Sequence, residues 1–529
     1  MYINMGRVFK QTALRFADYP AVINVERDRR YSYRQMHELS NRVSNALKDR
    51  FGLRQGDFYA TILDNDNMAL FHPWMLKSPV GAAWIDVRDS VAEQQSRIRH
   101  VGPKLVFIEN RLLPPIEEQL QAWKINIVVM DRPAKPRPGV YYFWDLVEQA
   151  APSEVAEGFR ADSATEHISV LRFTGGTTGK AKCAPYTLSN LWTWGCNPAH
   201  FYETLPFEYP AALFFSPLHH AASGSVVIPV HLKGGVILTL NGADPETIGQ
   251  TIEGNNVDMI YAVPTVLYRM LDMNLPGNYD LSSLKTIRYG GSPISPAKLE
   301  ILLDLFGQIF VQGYGSTECW PSVTMLTRKD HDIQTQKQID RLQSVGRPMP
   351  GEEVIICDEE GRALPAGRRG EIWIRGPNTI EGYYKAPELT EENFSSRGFW
   401  KSGDMGYMDE EGYLYLVDRK QDMIISGGYN VYAIEVENCL NSHPAIRDSA
   451  VVGLPHDIWG EEVCAMVLLS HGSTATPQEL IDHCKHNLAR YKAPKKIMIA
   501  DQLPLSPAGK ILRREVRCRL SDAKHSNTR

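Results

Sequence analysis

The chain has no cysteine pair at C-x-x-C spacing, no apolar run free of charge and glycine that is long enough to cross a bilayer, and little imbalance of charge. Each absence removes a class of protein. The eight cysteines (183, 196, 319, 357, 439, 464, 484 and 518) lack the spacing of a structural zinc site or a redox dithiol, so reduced, buried thiols in a cytoplasmic protein are expected. The most apolar stretch, Ala211 to Leu240, is interrupted by His219, His220, His231, Lys233 and several glycines, which suits buried strands and a helix better than a membrane span. At the N-terminus, Lys10, Arg15 and Asp18 fall where a secretory signal needs an apolar core, and the pattern is that of an amphipathic helix. A formal net charge of −5 gives no reason to expect nucleic acid or an anionic membrane as the main partner. What remains is 529 residues of ordinary globular composition, 43% apolar and 22% charged. That length exceeds one core and fits roughly two to four domains. Small-molecule chemistry is the default expectation.

From about residue 20 to 160, short apolar runs such as Phe58–Leu63 and Lys104–Ile108 alternate with helical patterns such as Ser32–Leu47, predicting an α/β layered fold with a largely parallel sheet. Further on, strands are predicted at Ala212–Phe215, Thr286–Tyr289 and Ile309–Gln312, and Val226–Val230 and Val236–Leu240 continue the apolar pattern. The three predicted strands end in polar or glycine-bearing loops, which a parallel sheet can gather at one edge, where ligands bind. A helix is expected from Pro296, with Ser295 as N-cap and Gly307 as its stop. Beyond 340 the texture shifts to short strands and turns, giving a small β-rich subdomain. The wholly polar segment Asp418–Asp422 is the candidate hinge, and the last hundred residues have the pattern of a small α+β domain. The expected division is a large unit over 1–418, a hinge over 419–422 and a small mobile unit over 423–529.

Residues 172–186, RFTGGTTGKAKCAPY, follow a β-branched and apolar run and combine glycines, threonines and lysines. Glycine lets backbone N–H groups turn inward, threonine adds hydroxyl donors and lysine adds charge, which is the composition of a phosphate cradle; a glycine-rich surface turn is the plainer alternative. It is not a Walker A loop, because Thr174 and Ala181 stand where that spacing needs Gly and Ser/Thr. Four further stretches accompany it: QGYGSTE at 312–318, WKSGDMG at 400–406, DRKQDMIISGGYNVYAIEVE at 418–437 and LPLSPAGKILRREV at 503–516. Taken singly each has a bland reading. The second is a near miss to a dinucleotide fingerprint, the third a Gly-Asp turn, the fourth a glycine turn between strands and the fifth part of a solvated basic face.

In this order and at these separations the five stretches resemble the adenylate-forming superfamily of acyl-CoA synthetases, aryl-CoA ligases, luciferases and peptide-synthetase adenylation domains, over essentially the whole chain. The resemblance implies ATP, Mg²⁺ and coenzyme A as cofactors. It implies that Thr174, Gly175, Gly176, Thr177, Thr178, Gly179 and Lys182 hold the β- and γ-phosphates, that Glu318 with Thr177 holds Mg²⁺, and that Thr317 contacts the α-phosphate. Tyr314, between Gly313 and Gly315, is expected against adenine, with Gly290, Gly291 and Ser292 in the adenine and acyl-pocket wall. Asp404 is expected on the ribose hydroxyls, with Arg419 reaching ribose and phosphate. Lys510 is the expected adenylation lysine: its ammonium can compensate the charge that builds as a carboxylate attacks the α-phosphorus. Gly427 and Gly428 are expected to admit a pantetheine thiol after the small unit rotates. His220, in the Pro-x-x-His position, is expected with Gly224 and Trp320 in the acyl pocket, shaping it rather than doing acid–base work; two adjacent histidines with no acid nearby in sequence are a weak metal signal.

Departures from the family pattern are Gly175 for serine, Ala181 for proline, Cys183 for glycine, Gln421 for lysine or aspartate, and Ala433 for a frequent proline with no evident chemical consequence. The phosphate-binding residues survive, but Cys183 puts the turn after the loop in question. The implied reaction is acid–thiol ligation: a carboxylic acid plus Mg·ATP gives acyl-AMP, and the thiol of CoA takes the acyl group. A stand-alone adenylating enzyme that loads the phosphopantetheine of a carrier protein is the close alternative, and a nucleotide-binding protein without ligase activity a distant one. Between Phe214 and Val227 no aspartate is available for an ammonium group, so a neutral fatty or aryl tail is expected.

Overall fold

In the computed structural model, which describes residues 5–132, 135–154, 167–174, 182–220, 226–320, 322–419, 422–426, 429–506 and 510–526, alternate residues of single strands feed different cores. In Phe58–Ile62, Tyr59 enters one core while Phe58, Ala60 and Ile62 enter another. In Ala211–Phe214, Ala212 and Phe214 join the core that holds Tyr59, and Leu213 joins a third. Side chains on successive strand positions point to opposite faces, so a sheet buried on both faces is apolar throughout its strands. That is why these segments read as continuous apolar runs.

The shared core lies between two large sheets. One has seven strands in the order Val140–Tyr142, Asn126–Val129, Leu105–Ile108, Phe58–Ile62, Gly81–Trp84, Ile168–Phe173 and Cys183–Thr187, parallel except for the last pair. The other has nine, with Phe310–Tyr314, Thr286–Gly290, Met259–Ala262, Ala211–Phe214, Val236–Thr239 and Pro20–Asn24 successively parallel at its centre. Helices cover the outer faces, among them Val91–Val101 on the first sheet and Pro296–Phe306 on the second. The predicted α/β layering is therefore present. The helix predicted from Pro296 forms with Gly307 at its end, but Ser295 makes no side-chain capping bond. The apolar pattern at Val226–Val230 is a helix, Val227–Leu232, not a strand; short apolar runs do not separate the two by periodicity.

A four-stranded antiparallel sheet, Glu353–Cys357, Gly370–Arg375, Trp400–Met408 and Leu414–Arg419, follows. The last sheet draws all its strands from residue 424 onward: Tyr429–Val431, Ile424–Ser426, Gly460–Leu469 and Ile446–His456, with Lys496–Ile499 pairing parallel to Gly460–Leu469. Its helices are Ala433–Asn441, Pro477–Asn487 and Arg513–Ser526. Arg447 Nε lies 3.3 Å from Asp272 Oδ2, joining this last part to the nine-stranded sheet's helical cover. At the predicted hinge, Lys420 and Gln421 lie outside the described residues. No helix among the described residues is long and apolar enough to cross a membrane.

Candidate active site

The phosphate-cradle stretch joins the last two strands of the seven-stranded sheet. Phe173 pairs with Cys183 across the antiparallel register, and the Thr174 N–H donates to the Lys182 carbonyl at 2.9 Å. Gly175, Gly176, Thr177, Thr178 and Gly179 lie outside the described residues. Lys182 Nζ donates to Asn393 Oδ1 at 2.8 Å and stands 5.3 Å from the centre of the Tyr383 ring. Cys183, the residue that put the following turn in question, is buried in a regular strand, and its carbonyl accepts from the Tyr384 N–H at 2.8 Å.

The parallel strands Thr286–Gly290 and Phe310–Tyr314 end side by side. A Cβ on Gly290 would lie 2.3 Å from the Gly313 carbonyl oxygen, so the register requires glycine there. Gly291 has φ +84°, and a Cβ on it would lie 3.3 Å from Tyr261 Oη and 3.6 Å from Lys510 Cε. Ser292 follows in the same turn, and Gly315 follows Tyr314 at the neighbouring strand end. Tyr314 is buried and its phenol donates to Asp404 Oδ2 at 2.7 Å. Arg419 Nε lies 3.3 Å from Asp404 Oδ1. The buried Glu318 accepts from Tyr383 Oη at 2.9 Å and Ser316 Oγ at 2.5 Å, and the Thr317 carbonyl accepts from Tyr186 Oη.

Lys510 is held between the Ser506 hydroxyl, which accepts from its N–H at 3.1 Å, and the Ser506 N–H, which donates to its carbonyl at 2.6 Å. Desolvation of its amine, then the positive charge of Arg419, pushes its pKa below the usual lysine value, against the pull of Asp404 and Glu318. The structure thus brings together Gly290, Gly291, Gly313, Tyr314, Glu318, Asp404, Arg419 and Lys510. Two carboxylates with a guanidinium and an ammonium can hold a cation, a sugar diol and a polyanion together. Gly427, Gly428 and Gly224 lie outside the described residues.

The core between the sheets opens on a second group. Nε2 of His219 and of His220 each lie 3.2 Å from Asp86 Oδ2, and Arg88 Nε lies 3.2 Å from Asp86 Oδ1. Asp86 supplies the acid that the sequence around the histidines lacks; it stands well over a hundred residues earlier and only the fold delivers it. Against desolvation, which alone would raise it, His219 and His220 hold the Asp86 carboxyl far below its usual range, and burial pushes His220 down to about 4. Two residues before Asp86, Trp84 ends its strand beside Trp320, ring centres 6.2 Å apart. Tyr186 is 5.0 Å from Trp320. The aromatic wall thus carries the expected Trp320 together with residues that motif spacing gave no reason to select.

Two stacked, mainly parallel sheets with strand-end glycines, a Tyr–Asp–Arg cluster and a lysine delivered from a small C-terminal α+β unit define an adenylate-forming enzyme architecture. The chain belongs to the AMP-binding enzyme family: that family's model matches residues 9–384, and the model for its C-terminal domain matches residues 435–510. Membership together with CoA ligases among its relatives supports an AMP-forming acid–thiol ligase. It is 38% identical to a feruloyl-CoA synthase of an Amycolatopsis species over 67% of this chain and 70% of that one. It is 31% identical to a long-chain-fatty-acid–CoA ligase of Yersinia pestis over 98% of this chain and 94% of that one. Among solved structures, the amide bond synthetase McbA from Marinactinospora thermotolerans superposes with a TM-score of 0.83 at 26% identity, covering 97% of this chain and 99% of that one. The anthranilate CoA ligase AuaEII in complex with anthranoyl-AMP shares the fold, with a TM-score of 0.88 at 23% identity, over 99% and 98% of the two chains.

Proposed function

We propose that this chain activates an aryl or fatty carboxylic acid as its acyl-AMP and passes the acyl group to the thiol of coenzyme A. The observation that carries the reading is the approach of Lys510 Cε to Gly291 beside Asp404, Arg419 and Glu318. Asp404 accepts from the ribose hydroxyls, and Tyr314 backs the adenine while its own phenol orients that carboxylate. The loop from Thr174 to Lys182, with Thr177 and Thr178, grips the β- and γ-phosphates. Glu318 fits a hard divalent cation: its buried carboxylate is bonded only to neutral hydroxyls among the described residues, and lone pairs remain for a metal such as Mg²⁺. Bound there with Thr177, Mg²⁺ supplies charge neutralisation of the phosphates.

In the first step a carboxylate oxygen forms a bond to the α-phosphorus as the bond to the diphosphate oxygen breaks. Lys510, protonated, offsets the negative charge gathering between the two anions, with Thr317 beside the α-phosphate. In the second step the thiol loses its proton, sulfur bonds to the acyl carbon, and AMP leaves. We assign the large unit to 1–418, the hinge to 419–422 and the small unit to 423–529; rotation about the hinge exchanges Lys510 for the Gly427–Gly428 turn, which leaves room for the thiol. The rings of Trp84, Tyr186 and Trp320 favour an aryl acid, and the name of the feruloyl-CoA synthase relative agrees with that class.

A panel of aryl and fatty acids, followed by diphosphate release and by thioester formation with free CoA or a holo-carrier protein, tests the reading. Release with at least one acid, completed by free CoA, is expected. Absence of release with every acid overturns it, and thioester on the carrier alone replaces CoA with phosphopantetheine.

A further inference from the structure

Arg172 ends the apolar run that leads into the phosphate-cradle loop, in phase with Val170 and opposite to Leu171. That phase turns its side chain into the core between the two sheets, where Val170 lies, and away from the core holding Leu171. The guanidinium carbon is 3.5 Å from the centre of the Trp320 ring, 4.3 Å from Trp84 and 5.6 Å from Tyr186. Arg172 is only 2% exposed, and among the described residues none of its three side-chain nitrogens has a hydrogen-bond partner. The indole N–H groups of Trp84 and Trp320 are buried and unpartnered in the same sense. One wall of the core thus gathers three donor-only groups with no acceptor among them. Cation–π contact stabilises a guanidinium in part, but an unpaired buried charge is otherwise costly, and burial pushes the Arg172 pKa down to about 9.

These donors lie on the wall that carries Trp320 and Trp84, with Asp86 two residues beyond Trp84 and His219 and His220 against Asp86. A planar fork of N–H groups between aromatic faces matches a carboxylate on an aromatic ring in both geometry and charge. We infer that Arg172 is a specificity-determining residue that pairs with a second carboxylate at the far end of the acid substrate, so that the preferred substrate is an aryl dicarboxylic acid. The inference rests on the acyl-pocket reading given under the proposed function. It replaces the neutral tail expected from the sequence: the missing aspartate still excludes an ammonium group, but neutrality does not follow when a buried, unpartnered cation lies against Trp320 and Trp84.

The test compares matched acids, cinnamate with 4-carboxycinnamate and octanoate with suberate, on the full-length enzyme and on Arg172→Met and Arg172→Lys. The wild type is expected to favour the diacid of each pair in kcat/KM by on the order of 10- to 100-fold, the range of a charge-assisted hydrogen bond. R172M is expected to abolish that ratio, R172K to keep part of it, and neither to change the KM for ATP. Thermal melting gives an independent readout: removing an uncompensated buried charge should raise the melting temperature of R172M without ligand, whereas an arginine satisfied by backbone carbonyls would lower it. A wild-type preference for the monoacids, or an unchanged ratio in R172M with a lowered melting temperature, overturns the inference. Calorimetric titration of 4-carboxycinnamate without ATP separates the two readings. Binding to wild type and not to R172M, with no diphosphate release from any acid, sustains Arg172 recognition and sinks the ligase assignment; release from the monoacids without diacid binding does the reverse.

Discussion

Arg419 and Asp404 are direct partners across the antiparallel pairing of Leu414–Arg419 with Trp400–Met408, and Arg419 Nε stands 3.3 Å from Asp404 Oδ1. Asp404 falls within the proposed large unit, and Arg419 is the first residue of the proposed hinge. The ion pair therefore ties the carboxylate proposed to hold ribose to the first residue of the proposed hinge. Tyr314 completes the arrangement by donating to the other carboxylate oxygen.

Asp404→Asn should raise the KM for ATP by about 10- to 100-fold, the range of a charge-assisted hydrogen bond, and leave the KM for the acid unchanged. Steady-state kinetics with each substrate varied in turn checks this. Equal increases in both constants would count against a ribose contact.

Lys510→Ala should slow acyl-AMP formation by roughly 100-fold or more, as loss of a charge-stabilising group in the transition state does, while sparing thioester formation from supplied acyl-AMP. Gly428→Trp should show the opposite pattern. The two half-reactions are read separately by diphosphate release and by consumption of synthetic acyl-AMP.

The pH dependence of adenylation follows from the lowered pKa of Lys510. Its active form is protonated, so activity should fall as pH rises, and the fall should begin below the ordinary lysine range. Arg419 lowers that pKa, so Arg419→Gln should move the alkaline limb upward whatever it does to the maximal rate. An unmoved limb in R419Q would exclude Arg419 as a cause.

Asp86→Asn should raise the KM for the acid several-fold and leave the KM for ATP unchanged, because the carboxylate faces the Nε2 atoms of both His219 and His220, the latter proposed to shape the acyl pocket. His220 is held neutral, with its pKa pushed to about 4, so its protonation should contribute no limb between pH 5 and 8. A limb in that range that disappears in His220→Asn would show acid–base work instead.

Ala433 does have a chemical consequence where the family frequently has proline: its N–H donates to Asp418 Oδ2 at 2.6 Å. Ala433→Pro removes that donor and should cost about 1–3 kcal/mol once Asp418 is ionised. Burial raises the folded-state pKa of Asp418 to about 6, so the folded protein holds a proton there between the ordinary carboxylate value and pH 6. Its contribution to stability is complete below the ordinary value and is lost as pH rises through 6. Denaturant titrations at pH 5 and pH 8 should therefore show the larger A433P penalty at pH 8.

Much of this was legible in the chain before any coordinates. Apolar runs bounded by glycine and polar residues fixed the strands at 286–290 and 310–314, because a doubly covered sheet tolerates little else. The order of the five motifs carried the family and its chemistry. Spacing could not distinguish the helix at 227–232 from a strand, since a short, mostly apolar run satisfies either period. Nor could it bring Asp86 to His219 and His220, or Tyr383 to Glu318 across 65 residues, because sequence separation carries no information about which loops the packing of separate sheets makes neighbours. Arg172 lies between these cases. Its charge at the end of an apolar strand was visible from the start, but that it is buried against Trp84 and Trp320 without an acceptor among the described residues is decided only by the stacking of two sheets, which puts residues from three distant segments around one guanidinium.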